Sequence, residues 1–509
     1  MKTKISTVLF CLLSLNIFSQ ALPSDNVLAK IKNTGFQHSQ AMNLLHELTD
    51  VYGQRLAGSR EYLSAAKWAL HKMKDIGLEN VHFENYCEDC RGWSVNSFNV
   101  EMVAPNYMHI VAYPLAMTKS TKGIVEGEVL HIVDFKNMDS LKLKFTGKLK
   151  GKIILLGEDP QPKSLTDTIL RRLSADALKT SEQKLAPIRK QTPMSEQLAK
   201  WKADEVPENT FLQFVENEGA LAVLKTRSML TGIIDPQGTY NYKENDLKPL
   251  PFFTIMPEHF GRLSRLLKQN LVPRIKLNLE TNFYLEPENN VNIIGEITGS
   301  DPKLKSEVIL IGGHFDSWHS ASGATDNGVS CITLIEALRI LKQNDMIPKR
   351  TIKIGLWGGE EQAFIGSLAF ARQHYGELGK QPNIESQNVA AYLNLDNGAG
   401  AIRGIYLQGN EFARPVFEQV FAPLSSLNVT TITIENTLST DHETFDNYNI
   451  PSFQFIQDPL SYNTVTHHTH LDFPEYVPEQ DLIKNAVILS WTIYSISGMS
   501  SKIPRKIKD

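Results

Sequence analysis

The chain has 509 residues, 42% of them hydrophobic and 21% charged, with 52 basic against 56 acidic side chains and a formal net charge of -4. That is a globular composition on a chain too long for one ordinary core, so two domains, or one domain carrying a large insertion, are expected. Disorder is excluded as the default state, and without a long basic stripe so is a nucleic-acid footprint.

At the start of the chain, Lys2 and Lys4 precede a short apolar run over 8–18. Ser19, Gln20 and Ala21 then put small residues at positions −3 and −1 of a cut after Ala21. This is the order of a secretory signal peptide. Residues 1–21 are therefore expected to be removed and the protein to be exported, periplasmic or secreted. The rival reading is a membrane anchor, but the run is too short to span a bilayer and is interrupted by Ser14 and Asn16. No membrane association is expected once the signal is gone.

Segments 39–76 have a helical pattern with a turn at Gly53 to Gly58, and 81–84, 97–102 and 108–113 read as strands. Cys87 and Cys90 form a C-x-x-C pair that suits a small disulfide loop in an exported chain or two idle thiols. A zinc knuckle would need more nearby than His82, and a redox role would need a fold context that is missing. From about 119 the texture changes to short strands at 123–132 and 152–156, a charged helix-prone stretch at 164–201, a strand at 220–224 and a helix at 257–267. This block is long enough to be a domain.

Beyond 291, strands at 308–311, 351–357, 390–395 and 451–456 alternate with helices such as 330–341, where Cys331 reads as a small buried hydrophobe. Alternation of this kind argues a layered α/β domain with a largely parallel sheet, whose ligands bind beyond the carboxyl ends of the strands. His314, Asp326, Glu360, Glu361 and Asp396 follow those strand ends, and His467, His468 and His470 cluster further on.

Singly, each has an ordinary reading: a loop histidine, a helix cap, first-turn acids, a turn aspartate, a surface histidine cluster. Together they supply the mixed nitrogen and oxygen donors that suit zinc. Adjacent Glu360 and Glu361 cannot face one point in the same way, so one can bind metal while the other serves as a base, a division that peptide hydrolysis needs.

The motifs Gly313-His314-Phe315-Asp316-Ser317-Trp318, Gly323-Ala324-Thr325-Asp326-Asn327-Gly328 and Leu356-Trp357-Gly358-Gly359-Glu360-Glu361-Gln362 resemble those of the M28 family of co-catalytic zinc peptidases, in particular its carboxypeptidase Q-like branch. Asn394-Leu395-Asp396, Thr440-Asp441-His442, Asn449-Ile450-Pro451, His468-Thr469-His470-Leu471-Asp472 and Gly53-Gln54-Arg55-Leu56-Ala57-Gly58-Ser59 extend the likeness over nearly all of the mature chain. The resemblance implies an α/β zinc exopeptidase fold, with a mixed, largely parallel central sheet flanked by helices and an inserted, β-rich protease-associated domain. The implied division is a signal at 1–21, a catalytic domain over 22–118 and 283–498, the insertion at 119–282 and a basic tail at 499–509.

It also implies two Zn2+ ions per chain. Asp326 would bridge them, Glu361 and His468 would complete one site, and His314 and Asp396 the other. Glu360 would be the general base, and Asp316 would accept a hydrogen bond from His314. A cis peptide is implied between Asp326 and Asn327. The implied reaction is hydrolysis of dipeptides or short peptides with a free N-terminus; dipeptidase, aminopeptidase and carboxypeptidase action stay open. Homodimerisation is suggested by the same branch.

Two departures stand out: His319 occupies a position that is usually acidic in the branch, and His467 and His470 compete with His468. The alternatives are a single-zinc glutaminyl-cyclase-like transferase of the same fold and a binding protein that has lost catalysis. Against the second, all five ligand positions and the base are filled.

Overall fold

The computed structural model describes residues 22–161, 171–188, 192–227 and 229–506, so the expected signal segment lies outside the described residues. Its strands run in chain order as β1 (Glu79–Asn85), β2 (Gly92–Ala104), β3 (Met108–His109), β4 (Ala112–Pro114) and β5 (Val125–Ile132). Next come β6 (Lys152–Leu156), β7 (Ala222–Lys225), β8 (Phe252–Ile255), β9 (Arg274–Tyr284) and β10 (Val291–Ile297). The last are β11 (Val308–His314), β12 (Thr351–Trp357), β13 (Val389–Asn394), β14 (Ile402–Tyr406), β15 (Thr431–Thr433) and β16 (Ser452–Gln457).

They build two eight-stranded sheets, one ordered β1-β10-β12-β11-β13-β16-β14-β15 and the other β3-β2-β9-β5-β6-β7-β8-β4. In the first, β12, β11, β13 and β16 are parallel neighbours, and antiparallel strands flank them. The fold is therefore the mixed α/β architecture expected.

The central strand shows why an unbroken apolar run forms here. Ile309 and Ile311 join the core beneath the helices Val329–Gln343 and Glu479–Gly498, while Leu310 turns to the other face among Trp357, Phe370, Tyr392 and Phe445. A strand covered on both faces has no polar side to show. Each such aliphatic side chain contributes about 1.5–3 kcal/mol by leaving water. Gly312 is required by close approach: a Cβ there would sit 2.5 Å from Trp357 Nε1 and 2.7 Å from the Tyr392 hydroxyl, which are hydrogen-bonded across it.

The second sheet begins earlier than the expected insertion. Strand β2 pairs with β9 from Gly92↔Tyr284 to Ala104↔Arg274, so residues before 119 already belong to it. A boundary at 119 would strip β9 of its longest ladder and leave its backbone groups unpaired. The inserted unit is also less purely β than expected. Its strands β5, β6, β7 and β8 are parallel, and it carries the 24-residue helix Met194–Asn217. The expected basic tail packs down over its described part: Ile503 is buried, and the Arg505 guanidinium donates to the Ser386 and Val389 carbonyls at 2.7 and 3.1 Å. Cys87 and Cys90 form a disulfide where the chain passes from the first sheet to the second. No helix among the described residues is long and apolar enough to cross a membrane.

Candidate metal centre

His314 is the last residue of β11, Glu360 and Glu361 follow β12, and Asp396 follows β13, so three adjacent parallel strands end at one place. Asp326 comes from the turn Ala324–Gly328, and His468 from the loop after Tyr462–Thr466. The peptide from Asp326 to Asn327 is cis, as the resemblance implied.

One oxygen of Asp326 lies 3.2 Å from His314 Nε2 and the other 3.3 Å from His468 Nε2. Asp396 Oδ1 lies 3.5 Å from the same His314 nitrogen, and Glu361 Oε2 lies 3.0 Å from His468 Nε2. Asp326 thus stands between two donor groups. His314, Asp326 and Asp396 offer ligand atoms within 4.8 Å of one another, and so do Asp326, His467 and His468. For the second group, proximity alone picks His467 and not Glu361. The His467 ring, however, lies flat on His468 with centroids 3.8 Å apart, and its Nε2 reaches Asp326 only at 4.0 Å. Glu361 is buried, and its Oε1 has no hydrogen-bond partner, nor has Asp326 Oδ2. Orphaned buried carboxylate oxygens beside imidazole nitrogens are what a cation site requires.

His470 is not part of the group. Its main-chain N–H donates to the Ile234 carbonyl at 3.1 Å, and its Nδ1 accepts the Ile234 N–H at 3.2 Å, which ties the loop to the inserted unit. His319 is buried, donates from Nε2 to the Pro114 carbonyl at 2.7 Å and meets the Trp93 ring edge-on. It joins the same two units without facing the site.

Asp316 departs from its implied role. His314 Nδ1 is 3.1 Å from the main-chain carbonyl of Asp316 and 3.7 Å from its carboxylate. The carboxylate instead accepts the N–H groups of Glu360 and Glu361, at 3.1 and 3.3 Å. The imidazole is still oriented with Nε2 toward Asp326, because Nδ1 is held by a carbonyl. Asp316 therefore positions the acidic pair more than the histidine.

Three further residues hold the centre. Trp318 Nε1 donates to Glu361 Oε2 at 2.8 Å. Asp472 accepts the Thr325 N–H and hydroxyl, both at 2.7 Å, and the Asp326 N–H at 3.0 Å, cradling the turn that carries the central aspartate. Arg55, wholly buried, donates to the carbonyls of Gly53, Phe315, Ser322 and Gly323. At Gly323 φ is +63°, and a Cβ would strike Ser317 at 2.3 Å, so only glycine lets the loop close onto the guanidinium.

Electrostatics follow from burial. Burial opposes a charged His314, yet Asp396 and Glu360 outweigh it and hold the imidazole well above its usual value. Asp326 is held well below the carboxylate range: burial works against this, and His314 and His468 overcome it. Burial pushes Glu360 well up, with His314 pulling back and Asp396 and Asp441 adding to the rise. Glu361 rises too, by burial and then the Asp326 charge. Burial followed by Asp326 pushes Asp472 up to about 7, against the pull of its bonds to the turn.

All of this opens into a cleft of about 370 Å³, whose wall includes Glu360, Phe364 and Thr440 from the catalytic unit and Trp201 and Tyr240 from the inserted one. The structure brings together every ligand and the base named from sequence. The supporting roles of Arg55, Trp318 and Asp472 were not assigned from sequence, although all three lie inside the recognised motifs. Trp201 and Tyr240 carried no signal at all.

A buried carboxylate between two imidazole–carboxylate groups, with a further acid alongside, defines a metallohydrolase site at the carboxyl edge of an α/β sheet. Residues 292–492 match Peptidase family M28. The chain is a metallopeptidase that carries an M28 peptidase domain over those residues. It is 24% identical to carboxypeptidase Q of Homo sapiens over 474 residues, which cover 92% of this chain and 88% of that one. Among solved structures it resembles an M28 peptidase precursor from Shewanella amazonensis SB2B, with TM-score 0.68, 19% identity and coverage of 95% of this chain and 99% of that one. It also resembles a zinc aminopeptidase from Bacillus subtilis, with TM-score 0.55, 18% identity and coverage of 89% and 93%.

Proposed function

We propose that this chain is an exported di-zinc exopeptidase that hydrolyses dipeptides or short peptides with a free N-terminus. The observation that carries the reading is Asp326, whose two carboxylate oxygens face two different histidines at 3.2 and 3.3 Å. In this reading His314 and Asp396 would hold one ion, Glu361 and His468 the other, and Asp326 would be shared by both. Two bound zinc ions would supply Lewis acidity and ease the ionisation of water. Glu360 lines the cleft beside these residues. It takes the proton from the attacking water and returns it to the leaving amine. Asp316 fixes the backbone of Glu360 and Glu361 by accepting both of their N–H groups.

Relatives named as carboxypeptidase Q and as aminopeptidases support exopeptidase action. Asp396, Glu360 and Glu361 line the cleft with Tyr240 and Asn397, and among the described residues no lysine or arginine lines it. Such a lining offers a terminal carboxylate no side-chain cation among the described residues. The second donor group around His468 favours the peptidase over a single-zinc cyclase.

The test is a metal count on the purified protein, followed by assay of a dipeptide panel with free and acetylated N-termini. Two zinc ions per chain and loss of cleavage on acetylation are expected. One zinc with pyroglutamate formation, or equal cleavage of acetylated peptides, would overturn the reading.

A further inference from the structure

The metal centre is built wholly from the catalytic unit, but its cleft is not. Trp201 and Tyr240, both from the inserted unit, line the cleft and also a second chamber of about 290 Å³ beside it. We infer that Trp201 and Tyr240 are specificity-determining residues, with Trp201 and Phe364 receiving an apolar or aromatic side chain of the substrate residue next to the scissile bond; this rests on the exopeptidase reading above.

Both walls are held in place. Trp201 meets Phe364 edge to face at 5.5 Å. Its helix is docked there by Met194, fully buried against Phe364 and Leu368, and by the Met194 N–H donating to Asn447 Oδ1 at 3.1 Å. Phe364 is presented by two successive residues with left-handed backbone, Ala363 at φ +73° and Phe364 itself at +59°. For residues with a Cβ, such a conformation is strained and marks a placement held by its surroundings. The segment begins three residues after Glu360, so the aromatic wall and the base are mechanically linked.

The Tyr240 loop is clamped from three sides. Its N–H donates to Glu205 at 2.6 Å, Arg91 donates to the Asn241 carbonyl at 2.6 Å, and Gly238 packs so closely on Trp318 that a Cβ would lie 2.9 Å from it. Burial, then the Glu361 and Glu360 charges, push the Tyr240 phenol up to about 12, so it stays a hydrogen donor facing the acidic end of the cleft. An aromatic slot at one end and the metal centre at the other orient a short peptide with its scissile bond toward Glu360. A hydrophobic slot discriminates by about 10–200-fold per added methylene at most.

The experiment compares zinc-loaded wild type, Trp201→Ala, Trp201→Phe and Tyr240→Ala on dipeptides carrying Gly, Ala, Leu or Phe in turn at each position. Expected is a rise in wild-type kcat/KM with apolar size at one position. In Trp201→Ala this gain falls at least tenfold, through KM and graded by side-chain size, and Trp201→Phe restores most of it. Tyr240→Ala broadens acceptance at the same position. A loss equal for every peptide in Trp201→Ala, or no change in either alanine variant, overturns the inference while leaving the exopeptidase reading intact. If zinc-loaded wild type cleaves no member of the panel, the exopeptidase reading fails and the inference falls with it.

Discussion

The indole N–H of Trp318 donates to Glu361 Oε2 at 2.8 Å, the same oxygen that lies 3.0 Å from His468 Nε2. That bond holds an otherwise rotatable carboxylate toward the second donor group. Trp318→Phe keeps the packing and removes the donor. Partners of this kind are worth about 10–100-fold in metal affinity. Competition with a chelator should therefore show one zinc lost about that much more readily and the other little affected; equal retention of both would count against the role.

Glu360 is assigned the proton transfer and not metal binding. Glu360→Gln removes the base with little change of volume, and turnover should drop by about 10²–10⁴-fold. Metal analysis of the same preparation should still find the wild-type zinc content. Loss of metal together with activity would move Glu360 into the ligand set.

Arg55 donates to four main-chain carbonyls, of which Gly323 also accepts the Gly328 N–H. A lysine has one ammonium and cannot span them. Each buried acceptor left without a donor costs about 1–3 kcal/mol. Arg55→Lys should lower stability by about 3 kcal/mol or more in urea titrations of the metal-free protein, and a shift below about 0.5 kcal/mol would refute the clamp.

His319 is pushed down to about 4 by burial, against the pull of its bond to the Pro114 carbonyl. The unfolded chain protonates this ring near pH 6.5 and the folded one does not. Its contribution to stability is therefore complete above about pH 6.5 and declines as pH falls toward 4, by roughly 1.4 kcal/mol per unit. His442, buried and also pushed down to about 4, adds the same sign. Unfolding free energies of the metal-free protein measured from pH 7.5 to 4.5 should show this decline, and His319→Gln should flatten it. An unchanged slope in the variant would show that His319 is not responsible.

The donor residues were legible in the sequence because chemistry constrains them locally. A ligand must sit at the end of a strand, and the apolar runs of β11, β12 and β13 end at or just before His314, Glu360 and Asp396. Adjacent Glu360 and Glu361 announced a split of roles for the same reason. Position in a motif did not reveal which atom a side chain holds: Asp316 was expected to bond His314, and its carboxylate takes two backbone amides instead. The insertion boundary also escaped, because the pairing of β2 with β9 joins residues nearly two hundred positions apart, and nothing local marks a ladder of that range.

By itself the sequence carried the fold class through its strand periodicity, and its resemblance to the M28 family named the candidate donors and the acid beside them. The resemblance named His468 among three crowded histidines, and the tertiary structure sets the three apart. His468 faces Asp326 and Glu361, His467 stacks on His468, and His470 is turned to Ile234 of the inserted unit. Only the tertiary structure brought Trp201 and Tyr240 to the cleft. Their placement depends on how one packed unit docks on another, a matter of long-range burial that no local pattern encodes.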